Sequence, residues 1–172
     1  MNLLHDIEPG TVDEMNVIIE IPKGSKNKYE IDKKTGLIAL DRAMHSAQDY
    51  PFDYGFVPQT LWDDGDALDV VVLTTYPLAP GILVRVRPVA VMNMIDCGES
   101  DAKIIAVPTD DPRWKEVTNL ATVNKHTIKE IQHFFETYKQ IQNKEVKIEG
   151  VEDVDKAKEA FTKGIEMYKA KK

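Results

Sequence analysis

Asp63-Asp64-Gly65-Asp66-Ala67-Leu68-Asp69-Val70-Val71-Val72-Leu73 sets an acidic turn directly against an apolar run. The run from Leu68 to Leu73 is nearly continuous and β-branched. That is the pattern of a strand buried on both faces, not of a half-exposed one. Strands come before it. Val17-Ile18-Ile19-Glu20-Ile21 ends at Pro22, and Tyr29-Glu30-Ile31-Asp32 enters the polar turn Lys33-Lys34-Thr35-Gly36. Leu37-Ile38-Ala39-Leu40 follows that turn, so the spacing predicts a hairpin. After it, Ile82, Val84 and Val86 alternate with Leu83, Arg85 and Arg87, and a further strand is expected over Lys103–Val107. Tyr50-Pro51-Phe52-Asp53-Tyr54-Gly55 reads as an aromatic loop. Prolines and glycines punctuate between these runs.

The last third changes period. Ile128, Ile131, Phe134, Phe135, Tyr138 and Ile141 recur at intervals of three and four, which predicts an amphipathic helix of about four turns. A second helix is expected from near Asp153, with Val154, Ala157, Phe161, Ile165 and Tyr168 inward. Short strands followed by two helices predict an α+β fold: a small closed barrel, extra strands and two helices packed outside. There is no internal repeat and no Gly/Ser linker, so one domain over 1–172 is the simplest organisation.

Composition narrows the function. The net charge is −7, unsuited to nucleic acid or to an anionic membrane. No apolar run approaches the ~20 residues of a membrane span. The first residues lack a basic segment followed by a long apolar stretch, so no secretory signal is expected. Cys97 is the one cysteine, which rules out an internal disulfide and suits the cytoplasm.

An acidic protein can still take an anionic substrate if its carboxylates first collect divalent cations. Two acidic clusters are candidates. The first holds Asp63, Asp64, Asp66 and Asp69, four carboxylates in seven residues. Asp69 abuts Val70, where water is scarce, and a bound cation is one way to satisfy such a carboxylate. The second cluster, Asp96-Cys97-Gly98-Glu99-Ser100-Asp101-Ala102-Lys103, lies between two expected strands, and a barrel can bring both to one mouth. An EF-hand is excluded by spacing. Counting from Asp64, position 6 is Asp69 instead of Gly and position 12 is Thr75 instead of Glu. No glycine-rich phosphate loop occurs. His45, His126 and His133 lack metal-ligand spacing. Lys28, Arg42, Tyr54, Tyr138 and Lys139 are interleaved with the acids and could bind phosphoryl oxygens.

At Asp64-Gly65-Asp66-Ala67-Leu68-Asp69-Val70 the chain resembles the signature of the family I soluble inorganic pyrophosphatases, departing only at Ala67. The resemblance continues in order along the chain. It includes Ile19-Glu20-Ile21-Pro22, Lys28-Tyr29-Glu30-Ile31-Asp32, Asp41-Arg42, Tyr50-Pro51 and Asp53-Tyr54-Gly55. It resumes at Tyr76-Pro77-Leu78, Arg87-Pro88-Val89, Asp101-Ala102-Lys103, His133-Phe134-Phe135-Glu136 and Tyr138-Lys139. It spans nearly the whole sequence. The resemblance implies a five-stranded barrel of the oligonucleotide-binding type that hydrolyses pyrophosphate to two orthophosphates with Mg²⁺, by direct attack of a metal-activated water. Matched residue to residue, Asp64, Asp69 and Asp101 would ligate metal, Asp96 and Asp101 a further ion, and Glu30 would act through water. Lys28, Arg42, Tyr54, Lys103, Tyr138 and Lys139 would grip the phosphates, and Asp66 would take the proton. Cys97 stands where some relatives carry an acid. The short chain resembles the prokaryotic form, which implies a homo-oligomer, a hexamer being favoured. Two other readings remain: a Mg²⁺-dependent hydrolase of another phosphoanhydride such as a nucleoside triphosphate, and a non-enzymatic barrel binding divalent cations or single-stranded nucleic acid. The first would need a base-stacking element, and none is evident. The second lacks the basic, aromatic-studded strand that nucleic acid requires.

Overall fold

A computed structural model describes residues 1–172. Five strands form a ring: β1 (Met15–Ile21), β4 (Asp53–Phe56), β5 (Asp69–Val72), β6 (Leu83–Asp96) and β7 (Glu99–Pro108). Their order is β1-β4-β5-β7-β6, and a β1–β6 pairing closes the circle. Only β5–β7 is parallel. The small barrel expected from short strands followed by two helices is therefore present. β2 (Asn27–Ile31) and β3 (Ile38–Ala43) make the expected hairpin as a separate two-stranded sheet.

β6 bends to serve three partners. It pairs with β1 through Leu83–Val86, with β7 along most of its length, and with β8 (Val146–Asp153) through Ala90–Asp96. The bend falls where the register to β7 shifts between Pro88 and Ala90. Pro88 lacks an N–H for the ladder, and a bulge is where a strand tolerates that loss. β1 and β4 approach closely at Gly55, where a Cβ would lie 2.0 Å from the Ile18 carbonyl oxygen. No residue but glycine fits there.

The barrel strands are buried on both faces, as the Leu68–Leu73 run predicted. Val71 and Ile105 face a cluster closed by Ile131, Phe134 and Phe135 of α1 (Lys125–Thr137). Val70, Val72 and Ile104 face the opposite cluster, closed by Ala157 and Phe161 of α2 (Val154–Lys171). Asp153 caps α2, its carboxylate accepting from the Val154 N–H. No helix is long and apolar enough to cross a membrane.

Four expectations need correction. The aromatic loop contains a strand, β4, because Asp53–Phe56 is paired on both sides. The last third is not wholly helical, since β8 lies between the helices as the outer neighbour of β6. β6 and β7 both extend beyond the segments expected, to meet at Asp96 and Glu99. The first helix stops at Thr137. A short 3₁₀ turn follows over Gln140–Gln142, ending at left-handed Asn143, and leaves Ile141 exposed.

Candidate active site

The barrel, the hairpin and the end of α1 enclose a cleft of about 850 Å³. Each element delivers its groups for a local reason. The Asp-rich turn folds on itself: Trp62 N–H donates to the Asp66 carbonyl, Gly65 N–H to the Trp62 carbonyl, and Asp66 N–H to Asp64 Oδ1 at 3.0 Å. Behind it, Lys163 of α2 lies 4.2 Å from the centre of the Trp62 ring and 2.9 Å from Asp63. Asp63 is thereby turned outward, and Asp64 and Asp66 inward.

Asp69 opens β5 and stands opposite Lys103 in the parallel register to β7. Asp101 and Lys103 are two residues apart on β7, so they share a face. Lys103 Nζ lies 2.6 Å from Asp69 and 2.9 Å from Asp101. The turn between β6 and β7 consists of Cys97 and Gly98, both with positive φ, as a two-residue primed hairpin turn requires. It places Asp96 on the far lip, where Lys139 Nζ lies 2.5 Å from Asp96 Oδ2. Tyr138, the residue that caps the C-terminus of α1, has its hydroxyl 3.5 Å from the same oxygen.

The hairpin forms the opposite lip. Lys28 Nζ is 2.6 Å from Glu30 and 3.2 Å from Asp41. Of the twelve residues singled out from sequence, eleven line the cleft: Lys28, Glu30, Tyr54, Asp64, Asp66, Asp69, Asp96, Asp101, Lys103, Tyr138 and Lys139. Arg42 is not among the lining residues; its guanidinium pairs with Asp41 at 2.6 Å. Sequence reasoning missed Glu20, Tyr50, Asp41 and Lys33, which also line it. A lone acid within the apolar run Val17–Ile21 was the signal that could have exposed Glu20.

Electrostatics follow from packing. Burial raises Glu20 to about 8, helped by Asp69 and opposed by the Ile31 N–H that it accepts at 2.8 Å. Burial raises Asp101 and Asp64, and the neighbouring Asp69 adds to both shifts. Burial works against the charge on Lys103, but Asp69, Tyr54 and Asp101 outweigh it and hold the ammonium well above its usual range. Burial also opposes charge on Asp96, and the Lys139 ammonium overcomes it, lowering the carboxyl. Tyr54 and Tyr138 are pushed upward by burial, so both are neutral hydroxyl donors near pH 7.

The donor set fits a hard divalent cation. Asp64, Asp69 and Asp101 each offer an oxygen, all within 4.8 Å of one another. Asp96 Oδ1 is buried with no hydrogen-bond partner, a cost that a cation would relieve. Oxygen-only ligation is what such ions prefer. With lysines and tyrosine hydroxyls around the carboxylates, the barrel defines a class: a metal-dependent site for a small phosphate-bearing anion.

Comparison with known proteins narrows the class. Residues 17–169 match the family model described as inorganic pyrophosphatase. The inorganic pyrophosphatase of Picrophilus torridus is 47% identical over 171 residues, 98% of this chain and 97% of that one. Soluble inorganic pyrophosphatase 5 of Arabidopsis thaliana is 48% identical over 95% of this chain and 77% of its own. The crystal structure of inorganic pyrophosphatase from Thermus thermophilus superposes with a TM-score of 0.94 at 44% identity, covering 98% of this chain and 99% of that one. The chain belongs to the inorganic pyrophosphatase family.

Proposed function

We propose that this protein hydrolyses inorganic pyrophosphate to two orthophosphates, by direct attack of water and without a phosphoenzyme. The observation that carries the reading is the convergence of Asp64, Asp69 and Asp101 within one cleft that lysines face from both lips. Pyrophosphate resists hydrolysis because its charge repels nucleophiles. Asp64, Asp69, Asp96 and Asp101 would hold Mg²⁺, with Glu30 acting through water, and the bound ion would supply charge neutralisation and a lowered pKa for water.

The chain's own groups do the rest. Lys28 and Lys139 exchange their present carboxylate partners for phosphoryl oxygens and stabilise charge on the leaving phosphate. Arg42 joins them by leaving Asp41. Tyr54 and Tyr138, kept neutral by burial, donate hydroxyl hydrogens to the phosphates. Lys103 balances Asp69 and Asp101, which limits their mutual repulsion. Asp66, exposed at the rim, takes the proton from the attacking water.

The same reading takes the whole chain, 1–172, as one catalytic domain working in the cytoplasm as a homo-oligomer, with a hexamer favoured. Phosphate release from pyrophosphate and from ATP, each with Mg²⁺ and with chelator, tests the function. Rapid release from pyrophosphate only, abolished by chelator, is expected. Equal rates on ATP would replace the substrate, and activity in chelator would remove the metal.

A further inference from the structure

The cleft has two halves on separate sheets. Lys28 and Glu30 belong to the β2–β3 hairpin, while Asp64, Asp66, Asp69 and Asp101 belong to the barrel and its turn. Where β2 of the hairpin enters the turn, the halves are tied by the Ile31 N–H donating to Glu20 Oε1. At its tip, Lys33 reaches across. Its Nζ lies 2.5 Å from Asp66 Oδ1 and 3.3 Å from the Gly65 carbonyl oxygen.

Both ends of this strap have fixed backbones. On the hairpin, Asp32 Oδ1 accepts from the Lys34 N–H at 2.7 Å and the Thr35 N–H at 3.2 Å, and Gly36 N–H donates to the Asp32 carbonyl. Lys33 therefore projects from a stiff turn. On the other side, the Asp66 main chain is bonded in both directions, to Asp64 Oδ1 and to the Trp62 N–H. The Asp66 carboxylate differs: Lys33 is its hydrogen-bond partner, and no second side chain orients it.

We infer that Lys33 is a positioning residue, holding the Asp66 carboxylate over the cleft and fixing the hairpin lip against the barrel. The inference rests on the proposed role of Asp66 as proton acceptor. Both side chains are mostly exposed, at 62% and 59%, and exposed pairs contribute little to stability. Removing Lys33 should therefore disturb geometry without unfolding the chain. Displacing a reacting group by about 1 Å can cost up to ~10² in rate.

The test uses Lys33→Gln, Lys33→Arg, Asp66→Asn and the double variant Lys33→Gln/Asp66→Asn in the full chain. With saturating Mg²⁺ and pyrophosphate, Lys33→Gln should lower kcat about tenfold while KM moves less than about twofold. Lys33→Arg should recover most of the loss. The double variant should be no slower than Asp66→Asn, because a displaced base cannot be lost twice. Amide hydrogen exchange over residues 27–43 should speed up in Lys33→Gln and not in Lys33→Arg, whatever the catalytic result. A raised KM at unchanged kcat would overturn the inference by making Lys33 a substrate ligand. Additive losses, or unchanged exchange, would overturn it too. If Asp66→Asn is slow while Lys33→Gln matches the unsubstituted protein, the inference fails and the reading of Asp66 stands. If Asp66→Asn itself keeps full rate, both fail.

Discussion

Asp69 and Lys103 face each other across the parallel pairing of β5 and β7, with the ammonium 2.6 Å from Asp69 Oδ2. The same ammonium lies 2.9 Å from Asp101, and its side chain is only 4% exposed. One buried cation thus holds together two carboxylates assigned to metal. Lys103→Met would leave those carboxylates facing each other uncompensated. Breaking a buried pair by removing one partner costs about 3–5 kcal/mol. Urea unfolding in chelator should show a loss of that order. In Mg²⁺ the loss should shrink, because the ion replaces the missing positive charge and stabilises the state that binds it. An identical loss in both conditions would mean that Asp69 and Asp101 do not hold the metal.

Glu20 should make the metal-free protein weaker as pH rises. Its carboxyl is raised from 4.5 to about 8 in the folded chain, chiefly by burial. Between those values the folded state binds a proton that the unfolded state has released. Stability from this group is therefore complete below about pH 4.5 and declines as pH climbs toward 8. Glu20→Gln keeps the acceptor for the Ile31 N–H and removes the titration. In chelator, its thermal midpoint should fall less than that of the unsubstituted chain between pH 5 and pH 8. Parallel pH profiles for the two proteins would show that Glu20 ionises normally.

Cys97 stands in a demanding place. It occupies the first position of the Cys97-Gly98 turn with φ 50°, a conformation that asparagine tolerates far better. Cys97→Asn should stabilise the protein by about 1 kcal/mol, the lower end of the ~1–3 kcal/mol that such backbone strain costs. Cys97→Ser should leave turnover near its original value, because metal–oxygen chemistry needs no thiol. Differential scanning calorimetry and a phosphate-release assay check both. Loss of activity in a folded Cys97→Ser variant would give the thiol a role.

What could be read in the sequence tracks how far each element depends on distant contacts. β5 was legible because the four consecutive apolar residues Val70–Leu73 need burial on two faces, wherever the partners come from. The β2–β3 hairpin was legible because its turn is polar and ends in Gly36. β4 was not: Asp53-Tyr54-Gly55-Phe56 becomes a strand only because β1 and β5 flank it. β8 was overlooked, although Val146-Lys147-Ile148-Glu149 alternates with period two, because a helical pattern precedes and follows it. The first helix was extended to Ile141 on spacing alone, whereas the chain leaves the helix after Thr137.

The site divides the same way. Density alone marks Asp64, Asp66 and Asp69. Family resemblance supplied Lys103 and the assigned roles, which spacing could not separate. Asp41 and Lys33 lie among other charges of the hairpin, and only the packing of one sheet against another turns them toward the cleft. Asp53 shows the converse. It lies within the resemblance yet serves the fold, accepting from the Lys23 N–H at 2.9 Å, the Leu78 N–H at 3.0 Å and the Thr74 hydroxyl.

Three neighbouring aspartates offer the sharpest separation of roles. Asp64 and Asp69 contribute to the cluster of oxygens within 4.8 Å, and Asp66 does not. Asp64→Asn and Asp69→Asn should therefore weaken metal binding, and high Mg²⁺ should restore part of their activity. Asp66→Asn keeps the shape of the side chain and removes its basic oxygen. Losing a general base typically costs ~10²–10⁴ in rate. Added Mg²⁺ should not repair that loss, since the missing step is proton transfer. Raised pH should repair some of it, because more of the attacking water is then already deprotonated. A grid of rate against pH and Mg²⁺ for the three variants tests the assignment, with isothermal titration of the metal as an independent reading. Rescue of Asp66→Asn by Mg²⁺ to the same degree as Asp64→Asn would make Asp66 a metal group, and the proton acceptor would have to be sought elsewhere in the cleft.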